Sequence, residues 1–230
     1  MRRFSILAEG PDDVHAIFHL LRRHNIPICE PNIFEDSKIT LESRNGVERL
    51  LESLEVQLKG IDNDRAEDII GIIIDADADS VDSQLENDAL AGLTRRWQRV
   101  RDILLGSGYS DVPDQPEITG TIIATQDKIL PKIGIWLMPD NQLPGQLEHF
   151  AKLLIPQNDA LFARAEGCIL AIPQADRKFT NLIKAQIHTW LAWQEEPGKP
   201  IGQAITKGYL TYDATVAQQF ILWIHRLFEI

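Results

Sequence analysis

The chain has 230 residues, 44% of them hydrophobic and 25% charged, which fits a globular protein of one large domain or a core domain with an appendage. Its 23 basic and 34 acidic residues give a net charge of −11. That makes the chain a poor general polyanion binder, because phosphate contact relies on Lys and Arg, and any nucleic-acid role would need a bound metal and a local basic patch. The longest apolar runs are too short to span a bilayer, and Cys29 and Cys168 have no metal-type spacing.

In chain order, FSILA (4–8) reads as a strand that meets acid at Glu9. Acid so early leaves no room for the apolar stretch of a signal peptide, and a reduced cytoplasmic protein is expected. Pro11, Asp12 and Asp13 suit the first turn of a helix that continues through DVHAIFHLLRRHN. EPNIFEDS (30–37) is expected to hold a second strand, and GVERLLESLEVQLKG (46–60) a helix with an apolar stripe from Val47 to Leu58. EDIIGIIID (67–75) is a continuous apolar run, the mark of a strand buried on both faces of a parallel sheet. A long helix follows over 82–108, with Leu85, Leu93, Trp97, Val100 and Leu104 as core candidates. GTIIAT (120–125) and KIGIWLMP (132–139) read as two more strands, joined by QDKILP as an edge hairpin.

This alternation predicts an α/β fold with a mainly parallel sheet flanked by helices. After Pro139 the texture changes, and PGQLEHFAKLLI, DALFARAEGCILAI, FTNLIKAQIHTWLAWQEE and DATVAQQFILWIHRLF all read as helices. Charge breaks at the same place: residues 1–140 hold 15 basic and 26 acidic residues, and 141–230 hold eight of each. The expected organisation is an α/β core over 1–140 and a helical extension over 141–230 packed on it.

Two predicted strands end in acid, one at Glu9 and one at Asp75-Ala76-Asp77. In open α/β sheets ligands sit beyond the carboxyl ends of the strands. If the two strands are neighbours, their acids meet at one rim. Alternate positions on an extended chain point the same way, so Asp75 and Asp77 can share a ligand. Gathered carboxylates raise one another's pKa, and a hard cation such as Mg²⁺ relieves that cost.

ILAEGPDDVHAI followed by GIIIDADAD resembles the Toprim domain, the metal-binding core of topoisomerases, primases, recombination-repair proteins and overcoming-lysogenization-defect nucleases. The resemblance covers about residues 4–140. It rests on a strand ending in Glu-Gly with an Asp shortly after, then a strand ending in Asp-x-Asp. PGQLEHF, KAQIHTWLAWQEEPGKP and GQAI resemble a small group of stand-alone bacterial Toprim-like proteins.

The resemblance implies phosphodiester hydrolysis or phosphoryl transfer. Glu9 would be the general acid/base, and Asp75 and Asp77 would hold Mg²⁺ or Mn²⁺. Glu148 would join them as the acid that follows a Gly in nuclease-type relatives, with Asp13 as a secondary candidate. DNA or RNA would be the partner, with the oligomeric state open, a homo-oligomer included. No zinc-ribbon cysteines and no tyrosine nucleophile domain are present, which favours a stand-alone hydrolase over a topoisomerase or primase.

Other residues carry two readings each. Asp79 is a further ligand candidate, but it also suits the capping region of the long helix, as Asp82 does. Lys184, four residues before His188 on one helix face, could contact the scissile phosphate or be a solvated lysine. Arg95, Arg96 and Arg99 form the densest basic run of the acidic half, either a phosphate-tracking patch or ordinary salt bridging. His15 and His19 read as a helix flank. A receiver domain would need a Thr/Ser and a Lys after later strands, which Thr121, Thr125 and Lys132 supply only loosely. A D-x-D-x-T/V phosphatase fails because Ala78 and Asp79 follow Asp77, and no Walker-A or G-x-G-x-x-G loop is present. A fold that keeps only a binding role is the competing expectation, motivated by the net charge.

Overall fold

A computed structural model describes residues 3–31, 33, 35, 37–59, 67–76, 86–125 and 130–230, with 86–91 described in their backbone alone. The elements are β1 (Phe4–Ala8), α1 (Pro11–Arg23), β2 (Ile39–Ser43), α2 (Val47–Lys59), β3 (Ile69–Asp75) and α3 (Glu86–Gly106). They continue with β4 (Thr121–Ile123), β5 (Lys132–Met138), α4 (Leu147–Leu153), α5 (Ala160–Ala171), α6 (Leu182–Ala192), α7 (Ile201–Lys207) and α8 (Thr215–Phe228). The sequence expectation of an α/β protein with a mainly parallel sheet holds. Five strands lie in the order β2-β1-β3-β5-β4, with only β4 antiparallel to its neighbour. Among the described residues no helix is long and apolar enough to cross a membrane.

β3 lies at the centre of the sheet, and six of its seven residues are buried. Successive side chains of a strand point to opposite faces, and the three central strands divide accordingly. Ile6, Ala8, Ile69, Ile73, Trp136 and Met138 join one core with α1, α4 and α6 to α8. Leu7, Ile70, Ile72, Ile74, Ile135 and Leu137 join a second core with α2 and α3. The C-terminal helices therefore cover one whole face of the sheet together with α1. The change of texture near residue 140 is a change of composition, and the hydrophobic core runs across it.

That face has a notch. Gly71 of β3 and Gly134 of β5 are directly paired across the sheet. A Cβ on Gly134 would stand 2.5 Å from Leu227 Cδ2 and 3.0 Å from Trp223 Cζ2. The two glycines let α8 press its large side chains onto the sheet backbone. Gly120, just before β4, completes the seat: its φ is +84°, and a Cβ there would lie 2.3 Å from Trp223 Cδ1. Gly120→Ala therefore combines a left-handed backbone with overpacking, and about 2–3 kcal/mol of destabilisation is expected in urea unfolding.

Two expectations change. β2 lies at Ile39–Ser43 rather than within 30–37, where residues 32, 34 and 36 fall outside the described set and the described residues form no strand. Ile39, Leu41 and their neighbours alternate buried and half-buried, as an edge strand must, whereas 30–37 offers no such alternation. α7 is a helix that the reading of the chain does not separate from its surroundings. It packs on α1 through Gly202, where an added Cβ would come within 2.6 Å of the His15 carbonyl oxygen.

Candidate functional site

β1 and β3 are adjacent and parallel, with Ala8 opposite Ile73, so their carboxyl ends emerge side by side. The chain leaves β1 through half-buried Glu9, and the Asp75 N–H donates to Glu9 Oε2 at 3.4 Å. The turn before α2 grips the same strand end: the Arg44 and Gly46 amides donate to the Ala8 and Glu9 carbonyls at 3.0 and 2.8 Å. From the other side Arg96 Nε donates to the Asp75 carbonyl at 3.0 Å. Arg96 is only 5% exposed, so α3 turns this guanidinium inward to fix the end of β3.

α1 begins at the rim. Gly10 is its N-cap residue, and the Gly10 N–H donates to Asp13 Oδ2 at 2.9 Å, which satisfies one of the helix's orphan amides. Asp13 is buried. Burial pushes its carboxyl up from 3.8 to about 7, the Glu9 and Glu148 carboxylates add to the rise, and the Gly10 amide opposes it. Glu148, in the first turn of α4, is also buried. Its Oε1 lies 3.3 Å from Lys184 Nζ, a half-exposed cation at the start of α6. Asn181 caps that helix, its Oδ1 accepting from the Lys184 N–H at 3.0 Å.

One continuous run of charge results, from Lys184 through Glu148, Asp13 and Glu9 to Asp75. It brings together Glu9, Asp13, Asp75, Glu148 and Lys184, which the sequence singled out separately. Asp77 and Asp79 lie outside the described residues. The three arginines part company. Arg95 and Arg99 are exposed on α3, and Arg99 holds Glu48 of α2 through both terminal nitrogens at 2.7 and 2.5 Å. Its guanidinium draws the Glu48 carboxyl below the ordinary range. Arg96 sits in the rim itself.

Sequence reasoning missed a cavity beside this rim. It has a volume of about 380 Å³, lies between α1, α6 and α7, and shares Glu148 with the charged run. His15 and His19 come from α1 and His188 from α6, with Gln203 on α7. The signal was present in part: His15 and His19 share one helix face, as do Lys184 and His188, and each pair is four apart. What joins the two faces is the close approach of α7 at Gly202, which is a tertiary feature.

The residue types fit a hard cation in their chemistry, since every acid of the rim offers oxygen; burial chiefly raises the Asp13 carboxyl, and the Glu9 and Glu148 carboxylates add to it. Among the described residues no group of three or more His, Cys, Asp or Glu side chains is gathered to hold a metal ion.

Comparison with known families decides the assignment of the whole chain. It belongs to the DUF3226 family. The family model, described as a protein of unknown function, matches residues 3–229, so the β1 rim, the cavity helices and α8 all lie within the DUF3226 unit. No curated protein and no solved structure matches the chain.

Proposed function

We propose that this protein is a divalent-metal-dependent phosphodiester hydrolase or phosphoryl-transfer enzyme of Toprim type. The observation that carries the reading is the meeting of two acidic strand ends on adjacent parallel strands, with Asp75 N 3.4 Å from Glu9 Oε2. Glu9 acts as the acid/base, half-buried and oriented by the Asp75 amide, and takes a proton from the attacking water. Asp75, Asp77 and Glu148 are the residues that would hold Mg²⁺ or Mn²⁺. When bound, the ion neutralises charge on the phosphate and orients it for displacement. Lys184, steered by buried Glu148, reaches a non-bridging phosphate oxygen. Arg96 positions the Asp75 backbone and so keeps both strand ends in register.

Cleavage of DNA and RNA substrates with Mg²⁺ or Mn²⁺ tests this. Glu9→Gln and Asp75→Asn are each expected to lower the rate about a hundredfold or more, with folding checked by circular dichroism. Wild-type protein that turns over no substrate and shows no Mn²⁺ binding by calorimetry would sink the proposal.

A second reading has its own support. The α3 arginines Arg99 and Arg101 are engaged by Glu48 and by Asp114 within the chain, on a protein of net charge −11. A nuclease usually offers more basic surface than that, which favours a nucleotide- or nucleic-acid-binding module without turnover. Metal binding without cleavage would favour it.

A further inference from the structure

Apart from Glu148, the cavity between α1, α6 and α7 is built from groups that the proposed chemistry leaves unused. It offers the imidazoles of His15, His19 and His188, an amide at Gln203, and an apolar wall at Pro200 and Ile201. Asp12 and Glu148 are its charged groups, and no Lys or Arg lines it among the described residues. Its volume of about 380 Å³ lies at the small end of the range for small-molecule sites, about 300–1,000 Å³.

We infer that this cavity seats the base of a single nucleotide, whose phosphate is left outside at the Glu148–Lys184 end of the rim. The inference deepens the phosphodiester reading and rests on it for the nature of the substrate. Three features favour a base over other occupants. Imidazole planes beside an apolar wall suit stacking of a flat ring, and histidine is among the side chains on which unpaired bases stack. Gln203 and Asp12 supply a donor and acceptors for a base edge. The carboxylates, with no cation among the lining residues, reject a phosphate from the cavity itself.

His19 strengthens the last point. Its Nδ1 lies 2.7 Å from the Thr206 hydroxyl, and burial lowers its proton affinity, with His15 and Arg22 adding to the effect. His19 is thereby favoured in its uncharged form, which suits an uncharged polar ring beside it. The cavity adjoins the rim through Glu148, which belongs to both, so a base seated there leaves its own phosphate beside Lys184. A single-nucleotide seat also accommodates the net charge of −11, because it asks for one unstacked or terminal residue rather than a basic track along a duplex.

The test uses full-length protein in EDTA and the free nucleosides adenosine, guanosine, cytidine and uridine, read by amide chemical shifts. At least one nucleoside is expected to shift the Gly202 and Gln203 amides in a saturable way. His188→Ala and Gln203→Ala, both exposed side chains, are expected to weaken that binding about tenfold, the order found when a base loses a stacking or edge partner. No saturable shift for any nucleoside, or binding that both substitutions leave unchanged, overturns the inference. Because neither metal nor phosphodiester is present, wild-type protein that binds nucleosides here but cleaves nothing supports the base seat and removes only the hydrolytic reading.

Discussion

Trp223→Ala is expected to lower stability by about 3–5 kcal/mol, the cost of truncating a fully buried tryptophan. The side chain is 0% exposed and fills the notch over Gly71 and Gly134. It also closes an aromatic cluster, with ring centroids 5.7 Å from Trp136 and 5.5 Å from Phe220, which themselves meet edge-on at 5.2 Å. Its indole N–H reaches the Thr121 carbonyl at 3.5 Å. Alanine leaves a void against sheet backbone that cannot collapse, because paired strands hold Gly71 and Gly134 in place. Urea unfolding should show a lower midpoint with an unchanged slope.

A second substitution resolves the cause. The nearest atoms to a Cβ on Gly120 all belong to Trp223. Gly120→Ala in the Trp223→Ala background should therefore keep only its backbone strain, so the pair is less destabilising than the sum of the two. Additive effects would show that the notch is not what seats α8. A loss under about 1 kcal/mol for Trp223→Ala alone would show that α8 is held elsewhere.

The same glycines mark the limit of what the chain discloses. β3 was legible because a buried parallel strand needs no alternation, and six apolar or small residues running into Asp75 announce one. The meeting of Glu9 with Asp75 was legible as a conditional, since it required only that β1 and β3 be neighbours. β2 was not, because Ile39–Ser43 is half polar and at the edge, where its signal is five residues of weak alternation. α7, at seven residues, is too short for a periodic pattern and depends on packing against α1. Arg96 was misplaced among surface arginines, although it lies three residues after Leu93 and four before Val100, both core positions on the same helix face. That spacing is the signal that would have turned it inward. Asp13 carried no signal of its raised pKa at all, because the pattern shows a helix-leading acid while the effect comes from burial between Glu9 and Glu148.

That burial predicts an unusual pH profile. A carboxyl whose folded pKa stands at about 7, against 3.8 as its ordinary value, holds its proton longer in the folded chain than in the unfolded one. Between pH about 4 and 7 the folded state binds more protons, so stability falls as pH rises through that window. A rise of about three units corresponds to about 4 kcal/mol at most. Asp13→Asn keeps an oxygen for the Gly10 amide but cannot ionise. It is expected to match wild type near pH 4 and to exceed it progressively toward pH 7 and above. Exposed carboxylates act in the opposite sense: Glu48, drawn down by Arg99, and Glu196, drawn down by Lys207 and Lys199, contribute stability that is lost on acidification. Both chains carry these, so the difference between the two unfolding curves isolates Asp13. The measurement belongs in EDTA, where protons alone titrate the rim. Parallel profiles would mean that Asp13 is ionised in the folded protein at neutral pH, and that Glu9 and Glu148 do not crowd it. A diverging pair would show that the Asp13 carboxyl is kept protonated by its burial where β1, α1 and α4 meet, with Glu9 and Glu148 adding to the effect.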